Sequence, residues 1–190
     1  MKALKTPILT ALLAIVLAGL MVTTTSVQAA TPTAAEIEAS VANALRAFRD
    51  EVDGADDYLS EAKGVLVIPD VRKVGFLVAA QWGTGALQVE GRTTDYYKME
   101  AGSAGFQAGY QKTNQVFIFF TDDALEKFRS GDGWTVGAEA GLTLVEVGTG
   151  ISADTLRNQG AVAAFAFGSE GLMGGWSAKG TRFSRIQPGR

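Results

Sequence analysis

The 190-residue chain contains no cysteine and no histidine. Without cysteine it can form no disulfide and carry no lipid-modified N-terminal cysteine, so burial of apolar surface must hold the fold together. Without histidine it lacks the commonest general base and the commonest metal ligand. These two absences favour a non-enzymatic binding protein over an enzyme or a metalloprotein, and we expect no cofactor.

Cationic charge is also scarce. Lys2 and Lys5 account for two of the 17 basic residues, so 15 remain beyond the first 29 residues against 20 acidic ones, a net charge of −5. An acidic chain is a poor match for the phosphate backbone, which argues against nucleic acid as the main partner.

The first 29 residues have the pattern of a signal peptide. Lys2 and Lys5 form a basic start, residues 8–22 form an apolar run, and the sequence VQA at 27–29 follows the small-x-small cleavage rule. The apolar run is short for a membrane span, which needs about 20 residues. We expect an exported protein of the periplasm or envelope with domain bounds 1–29 and 30–190, the alternative being an uncleaved anchor helix.

Local signals predict three helices. Thr33 and Glu36 form a capping box ahead of an apolar stripe, and a short helix is expected through Asp57, Leu59 and Ala62. Another helix should follow Thr121 as N-cap. The first helix is either an amphipathic membrane-surface helix or a cover for a sheet, and its lack of Trp and Lys favours the cover.

The rest of the chain reads as short strands separated by glycine-containing turns, with GTG at 83–85 as one turn and 148–153 as a loop. The predicted strands are 65–68, 74–81, 86–90, 96–111, 115–120, 134–147, 161–167 and 176–186. The pattern predicts an α+β fold: a curled antiparallel sheet or a partly closed β-barrel, with an N-terminal helix and one or two short helices packed on it.

Glycine is concentrated between residues 168 and 175, where it occupies four of eight positions and is flanked by large apolar residues. The cluster lies between two predicted strands and not before a helix, so it indicates a glycine-hinged hairpin and not a phosphate loop. GTG at 83–85 is likewise too short for a dinucleotide fingerprint. We therefore expect no nucleotide partner.

Several motifs occur in the order found in a known family. They are AKGVLVIP at 62–69, KVGF at 73–76, GTGAL at 83–87, GFQAG at 105–109, the aromatic run at 117–120 with its following helix, FAFG at 165–168 and SAKG at 177–180. In this order they resemble the SYLF domain family over almost all of residues 30–190. Eukaryotic members bind phosphoinositide membranes, fungal members also bind actin filaments, and the bacterial members that this chain resembles are exported. The resemblance implies that this chain shares the family's fold and its generic binding of lipid.

Acidic residues offer the remaining routes to chemistry. Glu139 interrupts a small, apolar strand and is a candidate for acid–base work, but the solvated outer face of an edge strand is the favoured interpretation. Asp53, Asp56 and Asp57 could supply oxygen ligands for Ca²⁺, but their spacing is not that of an EF-hand. A solvated acidic turn is the simpler interpretation.

We expect a non-enzymatic phospholipid-binding protein of the envelope, binding anionic bilayers weakly. Large apolar side chains at glycine-rich hairpin tips would insert, and nearby basic residues would contact headgroups. The candidates are Trp82, Met173, Trp176, Arg72, Lys73, Lys179, Arg182 and Arg185. The alternative is a structural or protein–protein module of the envelope that uses a sheet edge or an exposed patch.

Overall fold

The computed structural model describes residues 31–75, 78–104, 109–130, 134–135, 141–145, 148–171 and 180–189. It confirms the α+β class. The helices are α1 (Ala34–Glu51), α2 (Ala55–Ser60), α3 (Asp122–Ser130) and α4 (Ala153–Gln159). The strands are β1 (Gly64–Gly75), β2 (Val78–Val89), β3 (Arg92–Ala104), β4 (Gly109–Phe119), β5 (Trp134–Thr135), β6 (Leu142–Val145), β7 (Val162–Gly171) and β8 (Arg182–Ile186).

All eight strands form one sheet in the order β5-β8-β3-β2-β1-β4-β7-β6. The pairings are antiparallel except that of β6 with β7, which is parallel, so the sheet is mixed. Among the described strands none joins β5 to β6, and the sheet is therefore open and not a closed barrel.

Both faces of the central sheet are buried, which explains the uninterrupted apolar runs. One face packs against α1, α2 and α4, with Val67, Ile118 and Phe165 at its centre. The other face packs against α3, and its core contains Leu66 and Phe117. Phe183 of β8, although in the same sheet, also belongs to this core, and its ring centre lies 5.1 Å from that of Phe117. Alternate residues of each strand supply the two cores.

All three predicted helices are present, although α2 ends at Ser60 and does not reach Ala62 as predicted. Thr33 N donates to Glu36 Oε2 (2.8 Å) and Glu36 N donates to Thr33 Oγ1 (3.3 Å), which is a complete capping box. The buried residues of α1 include Ile37 and Phe48, so α1 covers the sheet as expected. Ala124 N donates to Thr121 Oγ1 at the start of α3 (3.2 Å).

Helix α4 was missed. Its signal is Ser152, which lies within the predicted loop and whose hydroxyl accepts from Thr155 N (3.3 Å), so that it caps a helix beginning at the loop's last residue. Only Ala153 and Leu156 of this seven-residue helix are buried, so the sequence offers little apolar periodicity to detect.

The predicted turn at 83–85 is wrong, because these glycines lie inside β2. A Cβ on Gly85 would stand 1.8 Å from Val67 O, and one on Gly83 would stand 2.6 Å from Ile68 Cγ2. The glycines therefore allow β1 and β2 to approach closely. The chain reverses instead at Glu90 and Gly91, both with positive φ, as a two-residue hairpin requires.

Other predicted strand bounds also change. Predicted strand 74–81 spans two strands, since β1 ends at Gly75 and β2 begins at Val78. Predicted strand 96–111 likewise divides into β3 and β4, which pair with different neighbours. Within 134–147 the described strands are β5 and β6. The ends of β1 to β4 meet at one place, because Gly75 pairs with Gly109 and Val78 with Ala104; we call this place the distal end of the sheet.

Strand β1 contains a one-residue bulge at Pro69 and Asp70. The register to β4 shifts between Ile68 and Val71, and Asp70 has φ +51°. Before the bulge the even-numbered residues face α3, and after it they face the side of α1. The bulge therefore reverses which side chains of β1 reach each face.

Candidate functional site

An apolar surface is exposed at the distal end of the sheet. Along β2 the residues from Val78 to Trp82 alternate between exposed and buried, with Ala79 and Gln81 on the buried side. Val78 is 71% exposed and Trp82 40%. The even-numbered residues lie on the face that α1 covers nearer the middle of the sheet, so the exposed apolar surface begins where the helix stops.

Two neighbouring strands extend this surface. Val74 pairs with Ala80 of β2 and with Tyr110 of β4, and directly paired residues lie on the same face. Val74 is 44% and Tyr110 47% exposed. We call Val74, Val78, Trp82 and Tyr110 the apolar patch.

A row of charged residues borders the apolar patch. Arg72 of β1 pairs with Trp82 of β2, which pairs with Glu100 of β3, which pairs with Arg182 of β8. Adjacent strands are about 4.8 Å apart, so Arg72 is an immediate neighbour of Trp82 and Arg182 is about two strands away. The structure thus brings together three of the predicted site residues.

Arg72 owes its position to the bulge. Without the extra residue in β1 it would lie on the face of Leu66 and Ile68, which is buried. With the bulge it lies exposed beside Trp82, and within the described residues it forms no ion pair. A bulge commonly re-aims a side chain at a functional surface in this way.

The bulge also carries a compact group of polar contacts. Asp70 N donates to Asn114 Oδ1 (3.2 Å), and Asp70 Oδ1 pairs with Lys112 Nζ (2.9 Å). The hydrogen bond from the Lys112 ammonium to the Asp70 carboxylate, together with the attraction between their charges, raises the pKa of Lys112 above its usual value. Lys112 lies across from Arg72 in register, so two cations and one carboxylate stand side by side.

A cavity of about 240 Å³ lies between the start of α1 and the bulge, next to the apolar patch. Its walls come from α1 and its N-terminal approach, from the bulge and from the middle of β2. The lining residues are Pro32, Glu36, Ile37, Ser40, Pro69, Asp70, Arg72, Trp82, Gly83 and Thr84. The cavity thus joins carboxylates, one arginine, two hydroxyls and an indole in a single space.

The remaining predicted basic residues lie elsewhere. Lys73 follows Arg72 and is half-buried on the opposite face of β1. Arg185 faces α3, where its Nε pairs with Asp95 Oδ1 (3.2 Å) and its Nη2 donates to Arg129 O (2.9 Å). Its guanidinium lies 6.0 Å from the ring centre of Tyr97. Arg185 therefore links β8 to α3, whereas Arg182 lies on the opposite face of the sheet.

Several predicted residues lie outside the described part of the chain. They are Met173, Trp176, Lys179 and Glu139. Trp82 itself lies within a strand and not at a hairpin tip, because the predicted turn after it does not exist.

The acidic turn after α1 gives no support for a Ca²⁺ site. Asp56 accepts from Arg49 Nε (2.9 Å), and within the described residues no group of three or more acidic side chains is arranged to hold a metal ion. Among the described helices none is long and apolar enough to cross a membrane.

Sequence reasoning missed Val74, Val78 and Tyr110. The first two were placed in one predicted strand, where they would have been ordinary members of a half-buried pattern. The available signal was a pair of glycines next to large side chains. Gly75 directly follows Val74, Gly109 directly precedes Tyr110, and either glycine could have marked a chain reversal. Deciding that these residues meet requires the pairing of β1 with both β2 and β4.

Comparison with known proteins gives a consistent relationship. A family model described as "Ysc84: Las17-binding protein actin regulator" matches residues 100–187. LAS seventeen-binding protein 3 of Saccharomyces cerevisiae is 29% identical over 163 residues, which cover 82% of this chain and 35% of that protein. SH3 domain-containing YSC84-like protein 1 is 33% identical in Pongo abelii and 32% in Homo sapiens, over 65% of this chain and 37% of those proteins.

The chain spans about a third of the length of these curated relatives. The family model and the yeast relative are named for binding and regulation, and none of these names is that of an enzyme. The matched residues 100–187 include the motifs GFQAG at 105–109, FAFG at 165–168 and SAKG at 177–180. Residues 100–187 thus match the Ysc84 family model, and the chain is similar over most of its length to proteins of the SYLF, or Ysc84, domain family.

Proposed function

We propose that this protein is a non-enzymatic module that binds the surface of a phospholipid bilayer through the apolar patch. The observation that carries the proposal is the joint exposure of Val74, Val78, Trp82 and Tyr110 on one face at one end of the sheet. Exposed apolar side chains that are contiguous and bordered by charges mark interaction surfaces on soluble domains. Scattered single apolar residues would carry no such meaning.

The shape of this region suits a bilayer. The apolar patch occupies the ends of paired strands, so inserting it requires no unpaired backbone group of these strands to enter the membrane. Trp82 and Tyr110 are the side chains that favour the boundary between water and lipid, because each has an apolar ring and one polar atom.

Electrostatics predicts modest affinity. The acidic net charge opposes long-range attraction to an anionic membrane, so contacts must be local. Arg72 and Arg182 lie in one row with Trp82 and can meet phosphate groups once the apolar patch touches the bilayer. Each cation at an anionic surface contributes about 1 kcal/mol, which makes the affinity weak and salt-sensitive.

We further propose that the chain acts at an envelope membrane after export. The support is the signal-peptide pattern of residues 1–29. The lack of cysteine suits an oxidising compartment, where free thiols are a liability.

A protein partner is the second candidate. The matching family is described as Las17-binding and as an actin regulator, so relatives are named for contacts with proteins. An exposed apolar patch could serve a protein surface as well as a membrane. The two readings separate by whether the purified protein binds protein-free vesicles.

The test is vesicle flotation with a matched pair of variants. Val74→Asp introduces a carboxylate on the apolar patch, whereas Leu144→Asp makes the same change at an equally exposed residue of β6; the two residues are 44% and 45% exposed. We expect Val74→Asp to weaken binding at least about tenfold, because the carboxylate must lose water to enter the surface. Leu144→Asp should bind like the parent.

Equal binding by both variants would remove the apolar patch from the mechanism. A parent protein that ignores vesicles of phosphatidylcholine, phosphatidylethanolamine and phosphatidylglycerol alike would overturn lipid binding and leave the protein-binding reading. Thermal melts of both variants establish that they are folded before binding is compared.

A further inference from the structure

We infer that the cavity beside Trp82 binds a zwitterionic headgroup that combines a phosphate with a primary ammonium, as in phosphoethanolamine. This inference rests on the proposed function, since it names the headgroup of the lipid that the apolar patch would contact. It is drawn from the charges that line the cavity and from where the cavity lies.

The cavity contains separate positive and negative groups. Arg72 supplies a guanidinium that forms no ion pair within the described residues, and its planar N–H groups match phosphate oxygens. Glu36 and Asp70 supply carboxylates on other parts of the wall. A ligand with one anionic and one cationic group satisfies both sides, whereas a purely anionic ligand meets two like charges.

Both carboxylates retain capacity to accept. The capping-box bonds to Glu36 all end on Oε2, and the ion pair of Asp70 uses Oδ1. Within the described residues, Glu36 Oε1 and Asp70 Oδ2 have no hydrogen bond. The hydroxyls of Ser40 and Thr84 line the same cavity and add neutral acceptors.

This acceptor set discriminates among ammonium groups. A primary ammonium has three N–H donors and can use the carboxylates and the hydroxyls, while a quaternary ammonium has none to offer. Trp82 can attract either cation over its ring, but a quaternary group is normally held by a cage of several aromatic rings. Trp82 is the one aromatic residue lining this cavity in the described part of the chain.

Size and position fit a headgroup and not a whole lipid. The volume of about 240 Å³ lies below the roughly 300–1,000 Å³ typical of sites for drug-sized ligands. Trp82 belongs both to the cavity and to the apolar patch, so a lipid whose headgroup occupies the cavity has its glycerol at the edge of the inserting surface.

The test compares headgroups both in vesicles and free in solution. Vesicles of phosphatidylcholine are doped with phosphatidylethanolamine or with phosphatidylglycerol, and affinity is measured by flotation. We expect about tenfold tighter binding to the ethanolamine vesicles, because charge-assisted hydrogen bonds form only there. Glycerophosphoethanolamine should shift the Trp82 indole N–H resonance of the protein in solution, and glycerophosphocholine should not.

Matched variants separate the cavity from general membrane effects. Asp70→Asn should abolish the preference for ethanolamine, and asparagine tolerates the positive φ of this residue. Asp154→Asn is the control, because Asp154 is also a surface carboxylate paired with one cation, Arg157. Arg72→Gln should weaken binding to every phosphate-containing headgroup, and Arg182→Gln should leave the ethanolamine preference intact.

The outcomes also separate this inference from the proposed function. Equal binding to all vesicle types, or a preference for phosphatidylglycerol, would overturn the headgroup assignment and leave membrane binding standing. A preference for ethanolamine that persists in Asp70→Asn would overturn the assignment to this cavity. Binding of free glycerophosphoethanolamine without binding to vesicles would support the cavity and contradict the membrane function.

Discussion

Replacement of Trp82 by alanine should weaken vesicle binding without unfolding the protein. Trp82 is 40% exposed, and aromatic side chains have roughly 150–250 Å² to bury, so roughly 60–100 Å² remains available for contact with lipid. At about 25 cal/mol per Å² this area contributes roughly 1.5–2.5 kcal/mol. Since 1.4 kcal/mol is tenfold in affinity, Trp82→Ala should weaken binding roughly 10- to 60-fold.

Flotation measures the affinity, and a thermal melt measures stability on the same samples. The buried part of Trp82 also packs in the protein, so we expect the free energy of unfolding to fall by roughly 1–3 kcal/mol. Trp82→Phe keeps most of the apolar area and should fall between the parent and the alanine variant. A folded Trp82→Ala protein that binds vesicles with the parent's affinity would refute the reasoning.

Other predictions concern folding and processing. Gly85→Ala should destabilise the fold by about 1–3 kcal/mol or more in denaturant titration, since its Cβ would stand 1.8 Å from a carbonyl oxygen of β1. Gly102→Ala, with open space around it, should be neutral, and equal melts would contradict the packing argument. Hydrogen bonds from Thr33 lower the pKa of Glu36 below its ordinary 4.5, so its ionised form stabilises the fold above that pH and this contribution is lost as pH falls through the lowered pKa. Glu36→Ala should therefore destabilise at pH 7 and converge with the parent in acid melts; a constant difference would contradict this. The protein recovered from cell envelopes should lack residues 1–29 by intact mass, and a mass that includes them would contradict cleavage.

The helices with strong local signals could be predicted from the sequence. The capping box of Thr33 and Glu36 and the apolar stripe after it involve residues a few positions apart, so no knowledge of the sheet is needed. Helix α4 was missed because only two of its residues are buried. Local signals thus decide helices when enough of them coincide.

The hairpins could not be predicted from glycine alone. In this sheet Gly83 and Gly85 permit close packing between strands, whereas the actual reversal uses Glu90 and Gly91. Both uses of glycine have the same sequence signature. Only the pairing of β1 with β2 distinguishes them.

The candidate site could be predicted only in part, because its assembly also depends on which strands pair. Trp82 and Arg72 were singled out separately, but their contact depends on a bulge whose register is set by two partner strands. Alternation along a strand, by contrast, predicts from the sequence alone that Arg182 and Arg185 lie on opposite faces, and β8 confirms this. Long-range pairing therefore decides which of the chemically suitable residues act together.

The absence of cysteine allows one direct test of membrane insertion by the apolar patch. Val78→Cys introduces a single thiol at the most exposed residue of the patch, 71% exposed, which can carry an environment-sensitive fluorophore. Asp123→Cys, exposed on α3 at the other face of the sheet, provides the matched control. On addition of phospholipid vesicles we predict a blue shift and a rise in fluorescence for the label at residue 78 and no change at residue 123. No change at residue 78 under conditions where the protein floats with the vesicles would contradict the account.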